Sequence, residues 1–423
     1  MVKLPNGLLI LRNLARKDRK SHQAIYVVRT FNVTKLKPYG FFAPIEMRWI
    51  KIANRLGNMR GIFLFHARDL VTFCAAVKSA SPATLSAMRI LVTGSAGFIG
   101  FHMAARLLAD GHEVVGLDGF TPYYDPELKR RRHAILEQNQ FFRGHSLLLE
   151  DFAGLKAIYG AGFDAVYHFA AQAGVRYSLE NPRAYLDANL AGTFNLLELM
   201  RHAPPKHALM ASTSSVYGTN AAIPFRETDR ADHPLTLYAA TKKANEEMAH
   251  AYSHLFHVPI TMLRFFTVYG PWGRPDMALF KFAAALFEGR PIDVYNHGNM
   301  KRDFTFISDL VEAMARLLPQ APPAPERRLV PAVEHDSLSP VAPWRVVNIG
   351  AERPVGLMDF IAAIEAATGL RATCNFVDMQ QGDVPITFAD TQLLFQLTGY
   401  RPGTPLAEGV RAFVDWYRAY FRA

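Results

Sequence analysis

The stretch Met88-Arg-Ile-Leu-Val-Thr-Gly-Ser-Ala-Gly-Phe-Ile-Gly100 sets the fold that we expect for most of this chain. Its apolar run predicts a buried strand, and a helical pattern begins at Phe98. Three glycines at three-residue intervals join the two. Gly94 would allow a sharp turn off the strand, and Gly97 would let backbone N–H groups approach a pyrophosphate closely. Gly100 would let the helix pack tightly against the strand.

A second predicted strand, Glu113 to Leu117, ends at Asp118, which lies 18 residues beyond Gly100. A carboxylate at this distance is placed to bind a ribose 2′-hydroxyl. The glycines alone would indicate a cofactor site only weakly. Together with the strand–helix–strand order and the acid, they predict a dinucleotide site. The acid favours NAD over NADP, so NAD is the expected cofactor.

The formal charge of +10 over 423 residues is unevenly distributed. Residues 1–87 hold 15 Lys plus Arg and 3 Asp plus Glu, so the remainder is close to neutral and we expect no nucleic-acid partner. The two cysteines, Cys74 and Cys374, form neither a disulfide framework nor a metal-binding spacing. They favour a reducing compartment, so we expect a cytoplasmic protein without a bound metal. No run of about 18 apolar residues predicts a membrane span.

Residues 1–87 lack sustained periodicity and the long apolar run of a secretory signal. One interpretation is a basic arm that contacts anionic partners or a membrane surface. The other is a poorly ordered extension, or a stretch upstream of a true start at Met88.

Predicted strands and helices alternate over residues 88–265, as in a doubly wound parallel sheet. One strand leads into Ala170 and Ala171, small residues that suit the close passage of a cofactor. We expect an α/β fold in which a Rossmann-type doubly wound parallel sheet binds NAD. A smaller C-terminal α/β substrate domain would follow over residues 266–423.

Several features of the nucleotide-binding half are open to two interpretations. Lys129 to Arg132, on a helix predicted from Leu128 to Leu136, could approach a phosphate or form a solvated helix face. Arg176 could bind an acidic substrate or pair with a neighbouring carboxylate. A long helix is predicted from Arg183 to His202.

Hydroxyl groups and a tyrosine–lysine pair mark a candidate catalytic site. The run Ser212-Thr213-Ser214-Ser215 follows a predicted strand, at the end where ligands bind in such sheets. Tyr238 and Lys242 are four residues apart in a predicted helix and so share one face. A cation there would lower the pKa of the tyrosine and let it act as a base near neutral pH. A core tyrosine beside a surface lysine has the same spacing, but the dinucleotide unit favours catalysis.

The glycine spacing, Thr213, Tyr238 and Lys242 together resemble the extended short-chain dehydrogenase/reductase family. Within it, the chain is similar to NAD-dependent nucleotide-sugar epimerases that act on UDP-glucuronate, over residues 88–423. The resemblance implies that Thr213, Tyr238 and Lys242 are catalytic. Related dehydratases and decarboxylases carry an acid just after the position of Thr213. Ser214 and Ser215 stand there in this chain, which argues for epimerisation.

The residues and the resemblance together assign the contacts of two ligands. Thr267 and the neighbouring hydroxyls would hold the sugar carboxylate, Arg302 the diphosphate, and Tyr295 would lie near the uracil. The predicted cofactor contacts are Gly94, Gly97, Phe98, Ile99, Gly100, Asp118, Ala170, Ala171, Tyr238 and Lys242. The predicted substrate contacts are Arg176, Ser212, Ser214, Ser215, Thr267, Tyr295, Arg302 and Asp383.

Local patterns in the C-terminal half predict further elements. Gly289 to Tyr295 and Arg302 to Thr305 resemble a strand pair around a turn. Asp309 is expected to cap a helix rather than bind a ligand. Residues 319–343 contain seven prolines and are expected to form a surface loop. The final helix is predicted from Pro405 to Phe421.

These patterns favour C4 epimerisation of a UDP-sugar, with UDP-glucuronate converted to UDP-galacturonate through a 4-keto intermediate. Tyr238 would take the proton of the C4 hydroxyl while the hydride moves to NAD and returns on the opposite face. A UDP-glucose 4-epimerase, or another UDP-sugar enzyme of the family, is the enzymatic alternative. A dinucleotide-sensing scaffold is the non-enzymatic one, although it would be expected to lack Tyr238 or Lys242. The family resemblance implies a homodimer.

Overall fold

The computed structural model describes residues 87–328 and 335–422, together with the backbone of two short strands nearer the N-terminus. Of these, β1 (Tyr26–Val28) pairs antiparallel with β2 (Phe63–Phe65). The chain divides into two compact units, Met1–Ser86 and Ala87–Ala423. The expectations of a basic arm, of disorder and of a later start concern residues that lie outside the described part.

The second unit contains twelve strands in its described residues. They are β3 (Arg89–Thr93), β4 (Glu113–Asp118), β5 (Phe142–Ser146), β6 (Ala165–His168), β7 (His207–Thr213), β8 (Ile260–Phe265), β9 (Thr267–Tyr269), β10 (Ile292–Tyr295), β11 (Lys301–Phe306), β12 (Trp344–Ile349), β13 (Pro354–Gly356) and β14 (Cys374–Val377).

The helices of the described residues alternate with these strands. They are α1 (Phe98–Ala109), α2 (Pro126–Glu137), α3 (Phe152–Tyr159), α4 (Tyr177–Glu180), α5 (Pro182–Tyr185), α6 (Gly192–His202), α7 (Leu237–Phe256), α8 (Ala278–Phe287), α9 (Ile307–Leu317), α10 (Leu357–Thr368), α11 (Gln392–Thr398) and α12 (Leu406–Phe421).

Seven strands form one sheet in the order β12-β8-β7-β6-β3-β4-β5, and every pairing in it is parallel. From β3 the chain builds outward through β4 and β5, then returns to β6 on the other side of β3. This reversal opens a crevice at the carboxyl ends of β3 and β6, where ligands bind in such sheets. The predicted Rossmann-type doubly wound parallel sheet is confirmed.

Alternating side chains of the sheet supply two separate cores. Ile90 and Val92 pack on one face with α1 and α9. Leu91 packs on the opposite face with α3, α6 and α7. Because both faces are covered by helices, the central strands are apolar at nearly every position, which is why the sequence shows a continuous run there.

The C-terminal part combines two small sheets with three helices. β11 pairs in parallel with β9 and antiparallel with β13, and β10 pairs in parallel with β14. Phe280, Phe360 and Phe413, from α8, α10 and α12, are buried in a common core there. β12 lies beyond residue 266 but joins the seven-stranded sheet, so the chain returns to the first part. The domain boundary at residues 265 and 266 stays a prediction.

One local prediction was wrong and another needs refinement. The expected strand pair does not form, because β10 pairs with β14 and β11 pairs with β9 and β13. A helical turn at Asn296–Gly298, with His297 at a φ of 50°, redirects the chain between them. The helix expected from Arg183 to His202 forms over that whole range, but its residues Leu186–Ala191 are π-helical.

The proline-rich segment contains one helical turn, Pro325–Arg327, in its described part. Among the residues that the structure describes, no helix combines the length and apolar character needed to cross a membrane. The same residues include no cluster of three or more His, Cys, Asp or Glu side chains able to hold a metal ion.

Candidate active site

The loop between β3 and α1 depends on its glycines for steric reasons. Gly94 has a φ of 72°, which favours glycine, and a Cβ there would lie 2.8 Å from the Ala170 backbone nitrogen. A Cβ on Gly100 would lie 2.1 Å from the Gly94 carbonyl oxygen. α1, which is described throughout, has no side-chain cap, so its first N–H groups, at Phe98 and Ile99, can receive an anion.

Asp118 lies at the end of β4 and supports this loop. The side chain is only 7% exposed. Its Oδ2 accepts a hydrogen bond from the Ala96 backbone N–H at 3.1 Å, and its Oδ1 accepts one from Phe120 at 2.8 Å. The structure therefore gathers the glycine loop, Asp118 and Ala170 at one end of the sheet, with Ala171 next in sequence. The loop has no space for a Cβ at Gly94 or Gly100, and a carboxylate lies beside it. This combination fits a bound dinucleotide.

The three predicted catalytic residues meet at the same crevice. Thr213 is the last residue of β7, and its side chain interacts with the Tyr238 phenol. Tyr238 and Lys242 occupy the first two turns of α7, which Thr236 caps by accepting a hydrogen bond from Ala239. Lys242 is buried. Burial, together with the charge of Lys242, lowers the pKa of His168 at the end of β6 to about 3.

The protein environment favours the neutral forms of Tyr238 and Lys242, two of the predicted catalytic residues. Burial raises the pKa of Tyr238, while Arg274 and Thr213 act to lower it. The predicted lowering is therefore wrong in direction, because burial outweighs the nearby cation. Burial also lowers the pKa of Lys242 to about 8, against the opposing charge of Glu246. A phenolate at Tyr238 depends on Arg274 and Thr213 for stabilisation.

The four consecutive hydroxyl residues do not form a single patch. Ser212 is buried, and its hydroxyl donates to the Glu246 carboxylate at 2.6 Å. Neighbouring strand residues face opposite sides, so Ser212 points away from Thr213 and the assignment of Ser212 as a substrate contact is corrected. Ser215 Oγ lies 3.2 Å from Thr213 Oγ1. Ser214 and Ser215 begin a short helical turn beside Thr213.

The structure brings four predicted substrate contacts together in two pairs. The Arg302 guanidinium lies 3.2 Å from an oxygen of Asp383. The Arg176 guanidinium lies 4.8 Å from the centre of the Tyr295 ring. Arg176 thus contacts an aromatic ring, an arrangement that neither interpretation of its sequence included. Their roles in substrate binding remain predictions.

The strand register places Thr267 near Thr213. Thr213 of β7 is opposite Phe265 of β8, and Thr267 begins β9 two residues later. Its partner in β11 is Phe304, two residues after Arg302. This placement is consistent with a role at the sugar, which stays a prediction.

Arg274 is a candidate site residue that the sequence interpretation missed. Its Nε and Nη2 lie 2.9 and 2.5 Å from the two oxygens of Asp276. The Tyr123 hydroxyl donates to Asp276 at 3.0 Å. Burial alone would lower the pKa of Arg274, but its ion pair with Asp276 raises it above the usual value. Its charge acts on Tyr238. The sequence did offer a signal for Arg274, because it lies in the segment from Leu263 to Asp276 that resembles the family's link between the two domains.

Asn189, for which the sequence suggested no role, lies in the π-helical turn. Its Oδ1 accepts from the Gln172 backbone N–H at 2.8 Å, and its Nδ2 donates to the Gln172 carbonyl oxygen at 3.1 Å. Its Nδ2 also donates to Thr241 Oγ1 at 3.0 Å. Asn189 therefore ties the strand-end loop to α7 beside Lys242. These partners lie 17 and 52 residues away, beyond the reach of a local pattern.

Two further predictions about charged residues fail. Asp309 is not a helix cap, because its carboxylate accepts hydrogen bonds from Tyr400, Gly403 and Thr404 and so holds a distant loop. The predicted basic helix face is not solvated throughout, since Lys129 is 7% exposed and Arg132 is fully buried.

Comparisons with known proteins agree with this geometry. The model of the NAD dependent epimerase/dehydratase family matches residues 90–329. The chain is 58% identical over 336 residues to a Rhizobium meliloti (strain 1021) protein named "Probable UDP-glucuronate 4-epimerase", which covers 79% of this chain and 98% of that protein. It is 43% identical to UDP-glucuronate 4-epimerase 4 of Arabidopsis thaliana, over 80% of this chain and 77% of that protein.

A solved structure supports the same assignment. UDP-glucuronic acid 4-epimerase from Bacillus cereus, in complex with UDP-glucuronic acid and NAD, aligns with a TM-score of 0.69 and 32% identity. The match covers 79% of this chain and 100% of that one. The protein belongs to the NAD-dependent epimerase/dehydratase family, and the predicted family resemblance is confirmed.

Proposed function

We propose that this protein is an NAD-dependent UDP-sugar 4-epimerase that interconverts UDP-glucuronate and UDP-galacturonate. The observation that carries the proposal is that Thr213, at the end of β7, and the first turns of α7 with Tyr238 lie at the same end of the sheet as the glycine loop and Asp118. The names of the relatives and the ligands of the Bacillus cereus structure support it.

NAD, when bound, accepts the hydride from the sugar C4 and returns it to the opposite face. The loop from Gly94 to Gly100 would hold its diphosphate at the N-terminus of α1, and Asp118 its ribose hydroxyl. Position 94 must be glycine for this loop to form, because a Cβ there would lie 2.8 Å from the Ala170 backbone nitrogen.

Tyr238 is proposed to move the proton of the C4 hydroxyl. It takes that proton as the alcohol becomes a ketone and gives it back when the ketone is reduced, so the tyrosine is regenerated. Thr213 and Arg274 act to lower the pKa of the phenol against its burial. Lys242 lies one turn further along α7 on the same face, where it is proposed to supply positive charge. The keto sugar must rotate between the two half-reactions while the protein keeps hold of its UDP.

The sugar carboxylate is proposed to bind Arg274 and the hydroxyls of Thr213, Ser214, Ser215 and Thr267. An arginine fork suits a carboxylate, and hydroxyl donors bind it without competing for its proton. Arg274 is the specific reason to favour UDP-glucuronate over UDP-glucose. Ser214 and Ser215 supply no additional acid for dehydration.

A single incubation tests the proposal. The purified holoenzyme is mixed with UDP-glucuronate, no nicotinamide is added, and the C4 configuration is followed by NMR. We expect a mixture of the gluco and galacto forms, because the bound cofactor is regenerated in each cycle. If NAD is bound and the C4 configuration does not change, the proposal is wrong.

We also propose a cytoplasmic homodimer. The exposed apolar side chains of Leu179, Phe194 and Leu255, from α4, α6 and α7, support pairing between copies. Light scattering measures the mass directly, and a monomer at micromolar concentration would refute the pairing.

A further inference from the structure

Arg132 is a fully buried arginine that joins three separate segments of the molecule. It lies on α2 and is 0% exposed. Its Nη1 donates to the Ala96 carbonyl oxygen and to the Tyr124 hydroxyl, both at 3.0 Å. Its Nη2 donates to the carbonyl oxygens of Trp272 and Gly273, at 2.5 and 3.2 Å. One guanidinium therefore bridges the cofactor loop and the loop that carries Arg274.

All of these hydrogen-bond acceptors are uncharged. A buried guanidinium is costly to desolvate, and carbonyl oxygens compensate it only when several of them are correctly placed. A leucine or methionine would fill the same interior space without that cost. The position of Arg132 is therefore better explained by what it holds than by a gain in stability.

The segment that Arg132 holds is strained. Trp272 has a φ of 59°, a left-handed conformation that is unusual for a bulky residue. Its carbonyl oxygen receives the shortest of the Arg132 hydrogen bonds. Arg274 follows two residues later, and its guanidinium is aligned by Asp276. The backbone conformation at Trp272 thus determines the position of the Arg274 Cα and the direction in which its side chain leaves the backbone.

We propose that Arg132 is a positioning residue that fixes Arg274 relative to the cofactor loop and thereby favours a carboxylated sugar. The proposal rests on the proposed function in one respect, the binding of the sugar carboxylate by Arg274. Arg132 does not itself touch the substrate. Its removal lets the turn at Trp272 relax, so Arg274 loses its alignment, while UDP contacts elsewhere are unaffected.

The test compares Arg132→Lys and Arg132→Met with Arg130→Met, an exposed arginine on the same helix. Dissociation constants for UDP-glucuronate and UDP-glucose are measured by calorimetry on NAD-loaded protein. We expect both Arg132 variants to weaken UDP-glucuronate binding about tenfold and UDP-glucose binding less than about threefold, with Arg130→Met unchanged. If Arg132→Met does not fold, the lysine variant decides, because it keeps the charge and stem but cannot bridge both loops.

A double-mutant cycle separates positioning from general support. In an Arg274→Met background, Arg132→Lys should change UDP-glucuronate affinity by less than about threefold, since the group that it positions is gone. Equal losses for the two sugars, or full losses in that background, would overturn the proposal. A wild-type holoenzyme that binds UDP-glucuronate but does not invert C4 would refute the proposed function alone, because this test measures binding.

Discussion

The cofactor side and the sugar side of the crevice are built in different ways. The cofactor side uses a short glycine loop and Asp118, whose hydrogen bond to Ala96 spans 22 residues. The sugar side depends on contacts between residues that are far apart in sequence, such as the hydrogen bond between Tyr123 and Asp276, which are 153 residues apart. The first is backbone geometry controlled by steric limits, and the second is charge placed by tertiary packing. We therefore expect the cofactor side to be sensitive to added atoms and the sugar side to lost charges.

The largest expected effect lies where the two sides meet, at Tyr238. Replacing Tyr238 with Phe should lower kcat by roughly 10³-fold, because proton transfer by a positioned side chain contributes about 10²- to 10⁴-fold. NAD should remain bound, measured as nicotinamide released on denaturation. The control is Tyr252→Phe on the same helix, where the hydroxyl bonds Glu198 instead. A fully active Tyr238→Phe enzyme would remove Tyr238 from the mechanism.

Adding one methyl group at Gly100 should disrupt the binding of NAD. In Gly100→Ala the new Cβ would meet the Gly94 carbonyl oxygen at 2.1 Å, so the loop and α1 must separate. We expect purified protein to lose most of its bound NAD. Gly403→Ala is the matched control, because a Cβ there meets nothing nearer than 3.8 Å. Retention of NAD by Gly100→Ala would show that the loop is more compliant than its geometry implies.

Removing one charge should alter the sugar side without affecting the cofactor. Arg274→Met should reduce kcat/KM for UDP-glucuronate by roughly 10- to 100-fold, as expected for a lost hydrogen bond to a charged group, and UDP-glucose turnover much less. Bound NAD should stay unchanged. Arg290→Met, which removes an exposed arginine paired with Glu288, serves as the control. A parallel loss with both sugars would argue against carboxylate recognition by Arg274.

The smallest expected effect concerns stability rather than catalysis. Burial raises the pKa of Glu227 from 4.5 to about 7. Between those values the folded protein keeps a proton that the unfolded chain has lost, so this group's contribution to stability falls as pH rises from about 4.5 to about 7. Glu227→Gln should therefore flatten the dependence of the thermal midpoint on pH across that range. The exposed Glu247→Gln should leave the wild-type dependence intact, and an unchanged Glu227→Gln profile would contradict the expectation.

The sequence predicted the local structure of the site where that structure depends on neighbouring residues. Gly94, Gly100 and Asp118 could be singled out because the turn, the helix start and the strand end follow one another along the chain. The spacing of Tyr238 and Lys242 likewise follows from one helix. The direction of the Tyr238 pKa shift could not be predicted, because the burial of its side chain depends on helices and strands that are distant in sequence.

The predictions that were wrong concern residues whose contacts are with distant parts of the chain. Ser212 looked like its neighbours in sequence, but strand alternation turned its hydroxyl to Glu246. Asp309 had the position of a cap, but its partners lie more than 90 residues away. Arg132 belonged to a basic run whose pattern could not show that one member is buried beneath two loops.

The sequence by itself determined the doubly wound sheet, the glycine loop and the tyrosine–lysine face, because each follows from steric or periodic rules acting over a few turns of chain. Only the tertiary structure decided that Arg274 lies beside Tyr238 and that Arg132 supports the loop between them. Those contacts join residues on separate elements, and their energies depend on burial that no local pattern specifies.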